Sequence, residues 1–152
     1  MKAVTIIAVS SLLMSVAPAH PQATSIINEL AGEYQECSVY FTIASEGISR
    51  FSDSEVPRAS ILSSDYKRAA DAAMKLAVEL ALKAGVTPQA FRQRTQNIIG
   101  AEKEIMQNNY VNISPLNARY GVFCQELMKE PKIRLQEIQA GKICTGKYTC
   151  WQ

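Results

Sequence analysis

Four cysteines, Cys37, Cys124, Cys144 and Cys150, are the residues of this 152-residue chain whose types most directly imply chemistry. No two of them form a Cys-x-x-Cys pair, and no histidine lies near any of them. That spacing argues against a zinc site and against a thioredoxin-like redox motif. In a chain that opens with an export signal, an even number of cysteines reads instead as two structural disulfides. Cys37 to Cys124 and Cys144 to Cys150 is the favoured pairing. Cys37 falls in the middle of an apolar helical seam, and Cys124 flanks Phe123 on the inward side of a later helix. The rival joins Cys124 to Cys144 and Cys37 to Cys150, fastening the tail across the first helix.

The single histidine, His20, sits at the expected start of the mature chain. Nucleophilic catalysis through histidine needs an imidazole braced by a third group, and a terminal residue has no such brace. Chelation of copper by its α-amine and imidazole would stop at Pro21, which offers no amide N–H. No metal site and no cofactor is therefore expected. Paired carboxylates remain, since a glycosidase needs only two, and Glu33, Glu36, Glu46, Asp53 and Asp71 are available. Acids at helical spacing read first as solvated charges, so no residue is assigned a catalytic role. A non-enzymatic protein is the expectation.

The tail KICTGKYTCWQ offers a different chemistry. A Cys144–Cys150 bridge would hold Lys147 and Tyr148 in a constrained loop beside Trp151, the only tryptophan. Aromatic residues are enriched among binding hot spots, and rigid presentation lowers the entropic cost of association. Lys147, Tyr148 and Trp151 are accordingly the candidate binding residues.

The elements that must position these groups read as helices throughout. Residues 1–19 have the layout of a secretory signal peptide, with Lys2, an apolar run from Ala3 to Val16 and the small-residue pattern Ala17-Pro18-Ala19. The mature chain then starts at His20 and forms one domain over residues 20–152, with no later stretch long enough to span a membrane. Removing Lys2 from 16 basic residues leaves 15 against 14 acidic ones. So balanced a chain does not fit a nucleic-acid binder. The acids are concentrated before Ala84 and the bases after it, an asymmetry that lets the two halves of one fold attract.

Ile27, Leu30, Tyr34, Cys37, Phe41, Ala44, Ile48 and Phe51 recur at alternating steps of three and four. They predict a first helix from Thr24 or Ser25 to about Phe51, weakened at Gly32 and Gly47. Ser52 to Ser63 reads as a linker. From Ser64, as N-cap, to Gly85, as C-terminal stop, runs a second helix whose charges Lys67, Asp71, Lys75, Glu79 and Lys83 form one narrow stripe. With apolar residues around the rest of its girth, this helix is expected at the centre of the bundle, buried on two or three sides.

Thr87-Pro88 opens a third helix, antiparallel to the second, with Phe91, Thr95, Ile98 and Ile105 inward and Arg92, Arg94, Lys103 and Glu104 solvated. Ser114-Pro115 opens a fourth helix whose inward face is Leu116, Tyr120, Phe123 and Leu127. A fifth runs from about Lys132 to Ala140 after Glu130-Pro131. Asn112-Ile113-Ser114 matches a glycosylation acceptor but is discounted because Pro115 follows it directly. The fold class predicted is all-α: an up-and-down bundle of four to five helices with a disulfide-bonded C-terminal tail.

This layout resembles that of exported inhibitors, toxin-immunity proteins and small accessory factors. The function expected is binding of another protein by a periplasmic or secreted monomer. Two other readings are an envelope glycan hydrolase using paired carboxylates and a small-ligand binder whose pocket is lined by Tyr34, Phe41 and Phe91.

Overall fold

Nine consecutive residues, Cys37 to Ser45, carry no charge, and the fold is built around them. The computed structural model describes residues 21–51 and 57–140. Helix α1 (Pro21–Phe51) is followed by α2 (Pro57–Lys83) and α3 (Pro88–Ile105). A short 3-10 turn, Tyr110–Asn112, leads into α4 (residues 114–129), and α5 (Pro131–Gln139) follows it. No strand occurs among the described residues, so the predicted all-α class holds.

The chain's direction reverses at each long helix. Ser38 Oγ donates to the Ala70 carbonyl at 2.9 Å, and Ser45 Oγ donates to that of Ser63 at 2.9 Å, so α1 and α2 run antiparallel. Gln35 meets Phe91, whereas Gly47 lies against Tyr110 and Ile113, so α3 runs parallel to α1. The Cys37–Cys124 disulfide, with Cα atoms 5.4 Å apart across a sequence separation of 87, ties α4 to α1 as expected. Cys144 and Cys150 lie outside the described residues, as do the signal segment and the tail residues Lys147, Tyr148 and Trp151.

The expectation that α2 is central is overturned. The hub is α1, to which α2, α3, α4 and α5 all pack. Leu30, Tyr34, Cys37, Val39, Tyr40, Phe41 and Ile43 are buried on most of its circumference, leaving Thr42, Glu46 and Ser49 as the exposed line. By contrast α2 buries four alanines, Ala70, Ala73, Ala77 and Ala81, and leaves Leu82 61% exposed. Alanines at spacings of three and four let the two helix backbones approach closely, but they cover little area. The larger residues Val78 and Leu82 fall outside that narrow contact. The third helix takes its contacts from α1 and from the start of α4 rather than chiefly from α2.

The predicted linker is also shorter, because α2 begins at Pro57. Proline is tolerated in a first helical turn, and Ser64, expected as the cap, lies inside the helix with its Oγ donating to the Ile61 carbonyl at 2.7 Å. Residues 52–56 lie outside the described residues. At Gly47 α1 does not break.

Helix ends follow local chemistry where the sequence signal is strong. Gly85 has φ +74, its N–H donates to Leu82 and that of Val86 to Ala81, which is a Schellman stop. Thr87 accepts from the Ala90 N–H at 3.2 Å, capping α3 ahead of Pro88. The end of α3 repeats the Schellman pattern without glycine. Gln107 and Asn108 take φ 54 and 56, and their N–H groups donate to Glu104 and Lys103.

Within α4, Asn117–Gly121 form a π turn. Residues of such a turn advance less about the axis than those of an α-helix. The residues after the turn are rotated back, so Cys124 points into the core and Phe123 is displaced to its edge. An aromatic cluster closes this end of the core: Tyr40 stacks on Tyr120 at 5.8 Å, and Phe41 meets Tyr66 at 5.8 Å. The Tyr40 hydroxyl donates to Asn117 Oδ1 at 3.0 Å.

Candidate functional site

At Glu130 the backbone leaves helical geometry (φ −133, ψ 62), and Pro131 restarts it as α5. The missing N–H of proline and its steric demand on the preceding residue make this a bend. The bend leaves an elbow between α4 and α5, a groove of about 260 Å³ lined by Phe123, Glu126, Leu127, Lys129, Glu130, Ile133, Arg134 and Glu137. Leu127 is buried beneath it, whereas Ile133 is 50% exposed on its wall. Phe123, the aromatic displaced from the core by the π turn, supplies part of the floor.

The elbow is held on α1 by one cation. Arg134 Nε donates to both carboxylate oxygens of Glu33, at 3.0 and 2.8 Å, and its Nη2 also bonds Glu33. Its Nη1 donates to Glu137 at 3.3 Å. The pair is largely shielded, with side-chain exposures of 8% for Arg134 and 14% for Glu33. The Glu33 carboxylate, by hydrogen bond and charge, raises the Arg134 pKa against the opposing effect of burial. The guanidinium also lies 5.9 Å from the Phe123 ring centroid.

A second polar feature sits on the α1–α3 seam. Gln35 is buried, and its amide donates to the Phe91 carbonyl at 2.9 Å and to Thr95, while its oxygen accepts from Arg94 Nε at 2.5 Å. Arg94, expected in solvent, is half-buried and reaches Asn28 Oδ1 at 3.2 Å. Burial lowers its pKa. Further along α3, Glu102 is 0% exposed and neither carboxylate oxygen has a hydrogen-bond partner. Removal from water pushes its pKa up to about 8, opposed by the charge of Arg119.

Of the acids that the sequence offered as a glycosidase pair, Glu33 is taken up by Arg134, and Glu36 stands one turn from Glu33 on α1. Glu33 and Glu46 are thirteen residues apart on one helix, about 20 Å along the axis, against the roughly 5–9.5 Å that such enzymes use. Asp71 is exposed on α2, and Glu46 accepts from the Tyr110 hydroxyl. Asp53 lies outside the described residues. The carboxyl with the raised pKa, Glu102, is enclosed and does not line the groove. Tyr34 and Phe41 fill the interior and Phe91 packs against it; none of the three lines the α4–α5 groove.

Among the described residues, no group of three or more His, Cys, Asp and Glu side chains is arranged to hold a metal, and no helix is long and apolar enough to cross a membrane. His20 lies outside them. Asn112, of the glycosylation acceptor, donates its amide to the Met106 carbonyl at 3.3 Å.

Sequence reasoning did not anticipate Arg134 or Glu102, although a signal for the second exists. The inward stripe Phe91, Thr95, Ile98, Ile105 skips the position four residues after Ile98, and an acid stands there. No family model, curated protein or solved structure matches this chain.

Proposed function

We propose that the protein acts by binding another protein, using the α4–α5 elbow as a contact surface. The observation carrying this reading is the half-exposed Ile133 on the wall of a groove with an apolar floor and a charged rim. Anchor residues in interfaces fill such desolvated depressions, while polar groups form the rim. Lys147, Tyr148 and Trp151 are proposed as further contacts. Their support is compositional: Lys147 and Tyr148 stand between two cysteines, and Trp151 directly follows the second.

The chain is read as exported to the periplasm or secreted after removal of residues 1–19. The Cys37–Cys124 disulfide supports an oxidising compartment, where such bonds persist. A photo-crosslinking residue at position 133, in protein expressed in its host, tests the reading. Crosslinking to one protein of the cell envelope is the expected result. Crosslinks only to lipid or to none would count against it, and intact mass from the same preparation reports whether residues 1–19 have been removed.

A further inference from the structure

Of the five acidic residues after Ala84, three line the elbow: Glu126, Glu130 and Glu137. The otherwise basic half of the chain therefore has its carboxylates gathered at one groove. The two cations there are unequal. Arg134 is engaged by Glu33 and Glu137 and is 8% exposed, so it presents little charge outward. Lys129 also lines the groove and is exposed, one cation beside the three carboxylates. Glu126, in the last turn of α4, and Glu130, the residue that ends it, stand four residues apart, and both are exposed. Between these two acids and α5 the surface is apolar, formed by Phe123, Leu127 and Ile133.

An apolar floor with carboxylates at its lip matches one kind of side chain. Arginine and lysine bury their methylene stems along apolar surface while the charged head stays at the wet edge. An acidic side chain would meet Glu126 and Glu130 as like charges. A purely aliphatic one would leave the rim unused. We infer that the α4–α5 groove takes a long basic side chain, arginine or lysine, presented by the partner protein. This deepens the protein-binding reading and rests on it.

The test uses n-butylguanidinium as probe, added to the disulfide-intact, ¹⁵N-labelled protein and followed by amide chemical shifts. It should shift the amides of Leu127, Ile133 and Arg134 saturably, while pentanoate at the same concentration should leave them in place. Glu126→Gln with Glu130→Gln should weaken the apparent affinity for the probe about fivefold, the effect of losing roughly 1 kcal/mol of exposed charge pairing. Both positions are exposed, and an unchanged far-UV spectrum confirms that the variant is folded. Three results would overturn the inference: no groove amide moves, pentanoate moves them equally, or the glutamine variant binds undiminished. A fourth is that Lys142→Ala with Lys147→Ala shifts the groove amides without any probe, which would make the chain's own tail the occupant. If the probe fails while crosslinking at position 133 persists, protein binding stands and only the basic side chain is lost.

Discussion

Glu102 is the residue at which stability and pH are coupled most directly. Its carboxyl is neutral in the fold up to about pH 8, against an ordinary value of 4.5. Below pH 4.5 both folded and unfolded chains carry the proton, so its contribution is fully present. As pH rises from 4.5 to about 8, the unfolded chain releases the proton and the folded one keeps it. Stability then falls by up to about 1.4 kcal/mol per pH unit from this group, and levels off above pH 8. Glu102→Leu should remove that slope and raise stability at pH 8 by about 2 kcal/mol, since an unpaired buried polar group is replaced by an apolar one. Urea denaturation at pH 5, 7 and 8.5 measures both effects. A second residue-scale expectation concerns Gln107, held at φ 54. That conformation costs an L side chain roughly 1 kcal/mol that glycine does not incur, so Gln107→Gly should stabilise by about that amount in the same assay.

At the scale of elements, the attachment of α5 depends on Arg134. Removing one partner of a shielded ion pair leaves the other charge stranded, at a cost of about 3 kcal/mol or more. Arg134→Met should therefore destabilise strongly, while adding Glu33→Met should recover most of the loss. A double-mutant cycle by thermal or urea unfolding checks this. The helices were legible from the sequence because their periodicity and caps are local. Thr87-Pro88 and Gly85 behave as their residue types require, and the α4–α5 break falls at Glu130-Pro131. The ranking of helices by burial was not legible from periodicity. The run of apolar and small residues in α2 resembled a central helix, yet alanines pack closely without needing further neighbours. The better signal was the uncharged stretch from Cys37 to Ser45 in α1, which reads on all faces at once. Arg134 was hidden for a related reason: a cation turned inward is explained by Glu33, 101 positions earlier, and no helical period connects the two.

For the whole molecule, the Cys37–Cys124 bond closes a loop of 87 residues. By loop entropy it contributes about 4.5 kcal/mol, so Cys37→Ala with Cys124→Ala should lower the urea midpoint sharply while the spectrum stays helical. The up-and-down order and this bond were foreseen together, because two inward sulfurs on neighbouring helices meet readily. The elbow was not foreseen. It arises from the bend at Glu130-Pro131, which the sequence announced, together with a π turn that displaces Phe123. The π turn is a property of the folded backbone. The central claim is that this elbow, and not exposed apolar surface in general, binds the partner. Leu82 on α2 is 61% exposed and Ile133 on α5 is 50% exposed, which makes them matched positions. The decisive measurement is the Kd of the crosslinked partner for Ile133→Asp and Leu82→Asp beside the native protein. Ile133→Asp should weaken binding by at least about tenfold, a hot-spot loss near 1.4 kcal/mol, and Leu82→Asp should leave it unchanged. Equal losses at both positions, or a loss at Leu82 alone, would contradict the account.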